Sequence, residues 1–135
     1  MNGRFQIAIH ILTLLESAKG EVISSDYIAG SMNINPVLVR KEISNLRKSG
    51  FVDSKEGKNG GYALAKAADK ISLADVYLAV GSTEIIGRAK NTPNPDCPIG
   101  RQIQGYIEKL NQQLDQELLK RLGGMTLAQF SNQFE

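Results

Sequence analysis

The chain has 135 residues, 41% of them hydrophobic and 22% charged, with a net charge of +2, one cysteine and one histidine. That length suits one domain, or one small domain with an added element, and is enough to bury a core without disulfides. A single cysteine excludes an internal disulfide framework and fits a reducing, cytoplasmic setting. The apolar start "MNGRFQIAIHILTLLESAKG" is interrupted by Gln6, His10 and Thr13 and is too short to span a bilayer, so no membrane association is expected.

The first predicted element is a buried helix over residues 5–17, with Phe5, Ala8, Ile9, Ile11, Leu12 and Leu15 at helical spacing. Gly20 ends it. A short second helix starts near Ser24 or Ser25, either of which suits an N-cap, and carries Ile28, Ala29 and Met32 on its apolar side. "NIN" makes a tight break, because Asn tolerates a left-handed backbone. A third helix begins with Pro36 at its first position and Asn35 as cap. Val39, Ile43 and Leu46 face the core, leaving Val37, Arg40, Lys41, Ser44 and Lys48 pointing outward. Gly50 terminates it. "FVDSKEGKNGGYALA" then reads as a β-hairpin with "EGKNGG" at its tip and Tyr62 and Leu64 on one face of the returning strand.

Charge is concentrated in this stretch. Residues 36–66 carry seven basic side chains (Arg40, Lys41, Arg47, Lys48, Lys55, Lys58 and Lys66) against three acids, a net of +4, whereas residues 67–135 carry a net of −1. A local cationic excess points to a polyanion partner.

"SLADVYLAV" predicts a fourth helix with a capping-box spacing between Ser72 and Asp75. Residues 81–98 form a loop with three prolines, and a long helix runs from about Pro98 to Leu122 with Ile103, Ile107, Leu110, Leu114 and Leu118 down one side. "GG" at 123–124 breaks it, and Thr126 and Gln129 cap a last short helix. In "PNPDCPIG", Pro98 suits a first helical position, which makes Cys97 the expected N-cap of the long helix. Unpaired backbone N–H groups and the positive helix end would favour its thiolate, which makes Cys97 a candidate redox sensor. A plain buried hydrophobe is the alternative for this residue.

Helix, short helix, turn, helix, hairpin is the order of a winged helix-turn-helix. The fold class is therefore mainly α with a small β-hairpin: a winged helix-turn-helix over 1–80, then a sensor loop and dimerisation helices over 81–135. A helix of this motif fits the major groove of double-stranded DNA. Arg40 and Lys41 are candidates for base edges. Ser44 allows close approach, and Arg47, Lys48, Lys55 and Lys58 suit phosphates. Val37 on the helix, Asn59 at the wing tip and Tyr62 on the returning strand complete the candidate DNA-binding set. The apolar stripe of the long helix has heptad-like spacing and predicts a homodimer, hence a roughly palindromic operator.

The segments "LRKSGFV", "GGYALA" and "ISLADVYLAV" resemble the helix end, wing and following helix of the bacterial winged-helix regulators that include IscR, NsrR and CymR. The loop "NPNPxCPxG" is similar to that of the YwnA-like branch, here as "NTPNPDCPIG". The resemblance implies a homodimeric transcription factor, usually a repressor, with a sensor site between wing and long helix. Two departures stand out. Cluster-binding members carry three cysteines before the long helix, where this chain has Cys97 alone, matching the last of them. An iron–sulfur cluster needs about four protein ligands, so no such cofactor is expected. Many relatives also place Arg near the wing tip, where Glu56 stands.

Other function classes fit less well. The lone His10 lies in an apolar helix, no Ser/His/Asp or Cys/His pair is evident, and "GKNGG" lacks the phosphate-loop spacing, so the chain is not expected to be an enzyme. A winged helix that binds only proteins would not need the cationic excess. RNA is disfavoured because a helix cannot read the narrow major groove of A-form RNA. A small thiol or metabolite acting on the loop region is an alternative signal to oxidation of Cys97.

Overall fold

The computed structural model describes residues 3–81, 85–87 and 89–134. Part of the expected sensor loop, residues 82–84 and 88, lies outside them. Among the described residues, six α-helices and one hairpin follow the predicted order.

Helix α1 (Arg4–Ser17) is central, burying Ala8, Ile9, Ile11, Leu12 and Leu15. Lys19 and Gly20 close it in the left-handed region, with φ of 51° and 90°. Ser24 caps α2 (Ser25–Met32), its side chain accepting the Tyr27 N–H at 3.1 Å. Asn33, with φ 54°, makes the tight turn. Asn35 Oδ1 then accepts the Val37 N–H at 2.8 Å and starts α3 (Pro36–Lys48), with Pro36 at its first position. Val39, Ile43 and Leu46 of α3 are buried, as their spacing predicts.

Strands β1 (Val52–Lys55) and β2 (Gly61–Leu64) pair antiparallel, Val52 opposite Leu64 and Lys55 opposite Gly61. Phe51 precedes the strand and is buried in the core. The segment between α1 and α2 joins this sheet: Ile23 and Tyr62 exchange both backbone hydrogen bonds, at 2.9 and 2.8 Å. The approach is close enough to need glycine beside it, since a Cβ on Gly61 would lie 2.5 Å from the Ile23 carbonyl oxygen.

A 3-10 turn (Ala68–Lys70) leads to α4 (Leu73–Val80), which carries the expected reciprocal capping box between Ser72 and Asp75. The long helix α5 spans Ile103–Gly123. It starts five residues later than the sequence suggests. The Gln102 side-chain amide donates to the Pro98 carbonyl at 2.7 Å, the acceptor that the Gln102 backbone N–H would use in a continuous helix, and that N–H turns to Ile99 instead. The last helix, α6 (Leu127–Ser131), has the Thr126–Gln129 capping box and returns to the first half of the chain. Leu73 N–H donates to Met125 O at 2.9 Å and Leu127 N–H to Ile71 O at 2.8 Å, and Leu127 is fully buried.

The core thus gathers α1, α2, α3, α4 and α6 around one set of apolar side chains. Helix α5 packs on α4, where Tyr77 O–H donates to Asp115 at 3.0 Å. Phe5 meets Tyr77 edge-on, with ring centroids 5.9 Å apart, and Ile9 is part of the core. Asn111 is the only buried residue of α5. No helix among the described residues is long and apolar enough to cross a membrane.

Candidate nucleic-acid interface

Helix α3 has two faces of opposite character. Val37, Arg40, Lys41 and Lys48 are exposed and Ser44 is half-buried. At about 100° per residue these five positions share one sector of the helix, opposite the buried Val39, Ile43 and Leu46. Arg47, also exposed, lies at the edge of that sector. Ser44, Arg47 and Lys48 line an open polar groove with Val52, Asp53 and Ser54 of the hairpin, so helix and wing form one concave surface.

At the wing, Lys55, Lys58 and Asn59 are exposed. Gly57 and Asn59 both take positive φ, 92° and 67°, and the Gly60 N–H closes the tip onto the Gly57 carbonyl at 3.0 Å. Glu56 is exposed at the same tip. Tyr62 differs from the rest of the candidate set: its side chain is half-buried and packs on the core, while its backbone is engaged with Ile23. Lys66, counted in the cationic excess, lies over the Phe51 ring with Nζ 5.6 Å from the centroid.

One feature of α3 escaped the sequence reading. Glu42 is 3% exposed, and its Oε1 accepts from Arg4 Nε at 3.2 Å. Arg4 also donates to the Val80 carbonyl at 2.6 Å. Glu42 Oε2 is buried without a hydrogen-bond partner among the described residues. The only available signal was its place three residues after Val39 and four before Leu46, on the margin of the core stripe. Through Arg4 this helix is tied to the end of α4, where the loop toward α5 begins.

Cys97 is exposed and free. Its Sγ accepts the Gly100 N–H at 3.4 Å, and its carbonyl accepts the Arg101 N–H at 3.0 Å. It therefore caps the irregular turn over residues 98–102. The N-cap of α5 is Gln102, so the expected placement of the thiol at the end of the long-helix dipole does not hold. His10 Nε2 lies 3.3 Å from Ser31 Oγ, joining α1 to α2.

The pattern of the Rrf2 family, described as iron-dependent transcriptional regulators, matches residues 1–133. The chain is 36% identical over 132 residues to YwnA of Bacillus subtilis (strain 168), named as an HTH-type transcriptional regulator; the match covers 98% of this chain and 97% of YwnA. It is 31% identical over 133 residues to the HTH-type transcriptional regulator IscR of Erwinia tasmaniensis, covering 98% and 78%. The structure of CymR from B. subtilis superposes with a TM-score of 0.72 at 19% identity over 100% of this chain and 98% of CymR, a likeness of fold.

Iron is part of that family description, and the donor set here does not fit a cluster. Cys97 is the one thiol in the sequence, and no group of three or more His, Cys, Asp or Glu side chains converges among the described residues. The helix-turn-helix, the wing, the α5–α6 ending and the match along residues 1–133 lead to one assignment: the chain belongs to the Rrf2 family and is a DNA-binding transcription regulator, not an enzyme.

Proposed function

We propose that the protein acts as a homodimeric repressor that reads a roughly palindromic operator with α3 and holds flanking phosphates with its wing. The observation that carries this reading is the exposed sector of α3, where Arg40, Lys41 and Lys48 stand with Val37 and the half-buried Ser44. Arg40 and Lys41 are the candidates for base edges, since Arg or Lys can donate to guanine O6 and N7. Arg47, Lys48, Lys55 and Lys58 supply charge to phosphates, and Asn59 brings its side chain to the same wing tip. Tyr62 contributes by holding the wing against the core more than by direct contact. Two-fold symmetry requires matching half-sites, about 34 Å apart along the duplex or a multiple of it. Occupying a promoter in this way blocks its use.

The dimer is formed by the outer face of α5. Ile103, Ile107 and Leu110 of that helix, and Ile99 just before it, leave much of their side chains in solvent in the single chain. An apolar surface of that kind is stabilised by a partner.

The signal reaches the protein through Cys97. Support comes from its exposure and from the Gly100 N–H directed at its sulfur. A peroxide converts such a thiol to sulfenic acid, with one peroxide oxygen passing to sulfur and the other leaving as water. The new oxygen changes the turn at 97–102 that feeds α5.

The experiment is a gel shift with operator DNA selected from a random pool, at rising salt. Specific binding weakens with a log–log slope near −0.9 per phosphate neutralised. Arg40→Ala relaxes sequence preference and costs about 1–3 kcal/mol, whereas Lys58→Ala weakens all sequences alike. Identical behaviour of the two variants contradicts the division of roles. A response to peroxide that persists in Cys97→Ser removes Cys97 as the input.

A further inference from the structure

A cavity of about 190 Å³ lies between the segment before the prolines and the first turns of α5. Ala89, Pro93, Ile103 and Ile107 give it apolar walls, and the amide residues Asn91, Gln104 and Asn111 also line it. Glu108 also lines it and is engaged in an interaction of its own.

Asn111 is the informative residue. It is 7% exposed on a helix whose neighbouring turns are open to solvent. Burying an amide is unfavourable unless it is hydrogen-bonded. One end is accounted for: the Ile86 N–H donates to Asn111 Oδ1 at 3.2 Å. A backbone N–H can only donate, so the amide oxygen must face Ile86 and the NH₂ group must be the other end. That donor has no hydrogen-bond partner among the described residues. The cavity therefore combines hydrocarbon walls with a fixed, unused donor, the pattern of a small-molecule site in which one polar group sets orientation.

Size narrows the ligand. The pocket is partly open to solvent, so its volume of about 190 Å³ describes only the enclosed part of a ligand, and since a closed apolar cavity of about 150 Å³ holds benzene, that part is about the size of a six-membered ring. We infer that the cavity is a binding site for a neutral, ring-sized molecule carrying a carbonyl-type acceptor, which Asn111 Nδ2 hydrogen-bonds while Ile103, Ile107, Ala89 and Pro93 enclose the ring. The site deepens the reading of a signal-responsive regulator and rests on it for its biological use; two of its walls, Ile103 and Ile107, also belong to the apolar face of α5. Binding itself requires neither DNA nor oxidation of Cys97.

Acetophenone and α-methylstyrene test the inference, because they share shape and differ by carbonyl oxygen against methylene. Titrated to millimolar concentration into the full-length protein, acetophenone should shift the amide resonances of Ile86, Ile103, Ile107 and Asn111. It should bind at least tenfold more tightly than α-methylstyrene, because a site with an unpaired donor rejects the analogue that cannot accept. Asn111→Leu should remove that preference, and Ala89→Trp, which fills the cavity from the loop side and leaves the α5 face untouched, should abolish both titrations. Absence of shifts with acetophenone, or equal affinity of wild-type protein for the two compounds, would overturn the site. These titrations are done without DNA, so they stand apart from the gel shift that decides operator binding.

Discussion

Glu42 sits on the core margin of a helix whose opposite face is cationic, and it keeps its charge company through a single guanidinium. Removing one partner of such a pair is worse than replacing the acid, because the survivor is left buried and unpaired. Arg4→Met should therefore destabilise the protein by about 2–3 kcal/mol, less than the ~3–5 of a fully buried pair because Arg4 is 36% exposed. Glu42→Leu, which also deletes the unpartnered Oε2, should stay within about 1 kcal/mol of wild type. Urea unfolding of the two variants checks the asymmetry, and equal losses would contradict it. The caps at Ser24, Asn35, Ser72 and Thr126 were legible in the sequence because capping is local, a matter of side chain and spacing within one turn. Arg4 and Glu42 are 38 positions apart, and nothing in the spacing of either announces the other. Cys97 shows the limit of local reasoning: Pro98 pointed to a helix start, but Gln102 bonded back to Pro98 and moved that start to Ile103.

Among the elements, α5 is the least settled by its own sequence. Its apolar stripe is exposed toward its beginning and its grip on the rest of the chain lies further along, through Asn111, Asp115 and Leu122. The phenol of Tyr77 on α4 holds Asp115. Burial raises the Tyr77 pKa above its ordinary value, and the hydrogen bond and negative charge of Asp115 raise it further. The folded protein thus keeps this phenol neutral to higher pH than the unfolded chain does. The stability it supplies is complete below the ordinary tyrosine range and disappears as pH climbs through the raised value. Alkaline unfolding should be steeper with pH in wild type than in Tyr77→Phe, and superimposable pH profiles would dismiss the coupling. The wing was legible as a hairpin from its glycines and alternation. Its third backbone partner, Ile23, was not, because a single bridge leaves no period to read.

For the whole molecule, the order of elements was enough to name the architecture, because a helix-turn-helix followed by a hairpin has few alternatives. The share of α6 in the first core was not readable, since Leu127 meets Ile71 across more than fifty residues of chain. The division at residue 80 remains a proposed one, and Leu127 crosses it. Association is the other property of this scale. Leu110 is 43% exposed in the single chain. Leu110→Glu should give monomers in sedimentation with helix content retained, and wild-type protein that is itself monomeric at micromolar concentration would rule out the α5 dimer.

The two backbone bonds that stitch 71–73 to 125–127 carry a consequence for amide exchange. Ile71 and Leu127 are both fully buried, so no local fraying exposes the Leu127 N–H to solvent, and the Leu73 N–H is held against Met125 beside it. Deuterium should enter these two amides only when the molecule opens as a whole, whereas the exposed first turns of α5 exchange through local opening. The expected protection map is therefore discontinuous: a slow patch near residue 73, a fast stretch reaching about residue 110, and slow exchange again at residue 127, near the end of the chain. Fast exchange at Leu127 would mean that α6 detaches on its own.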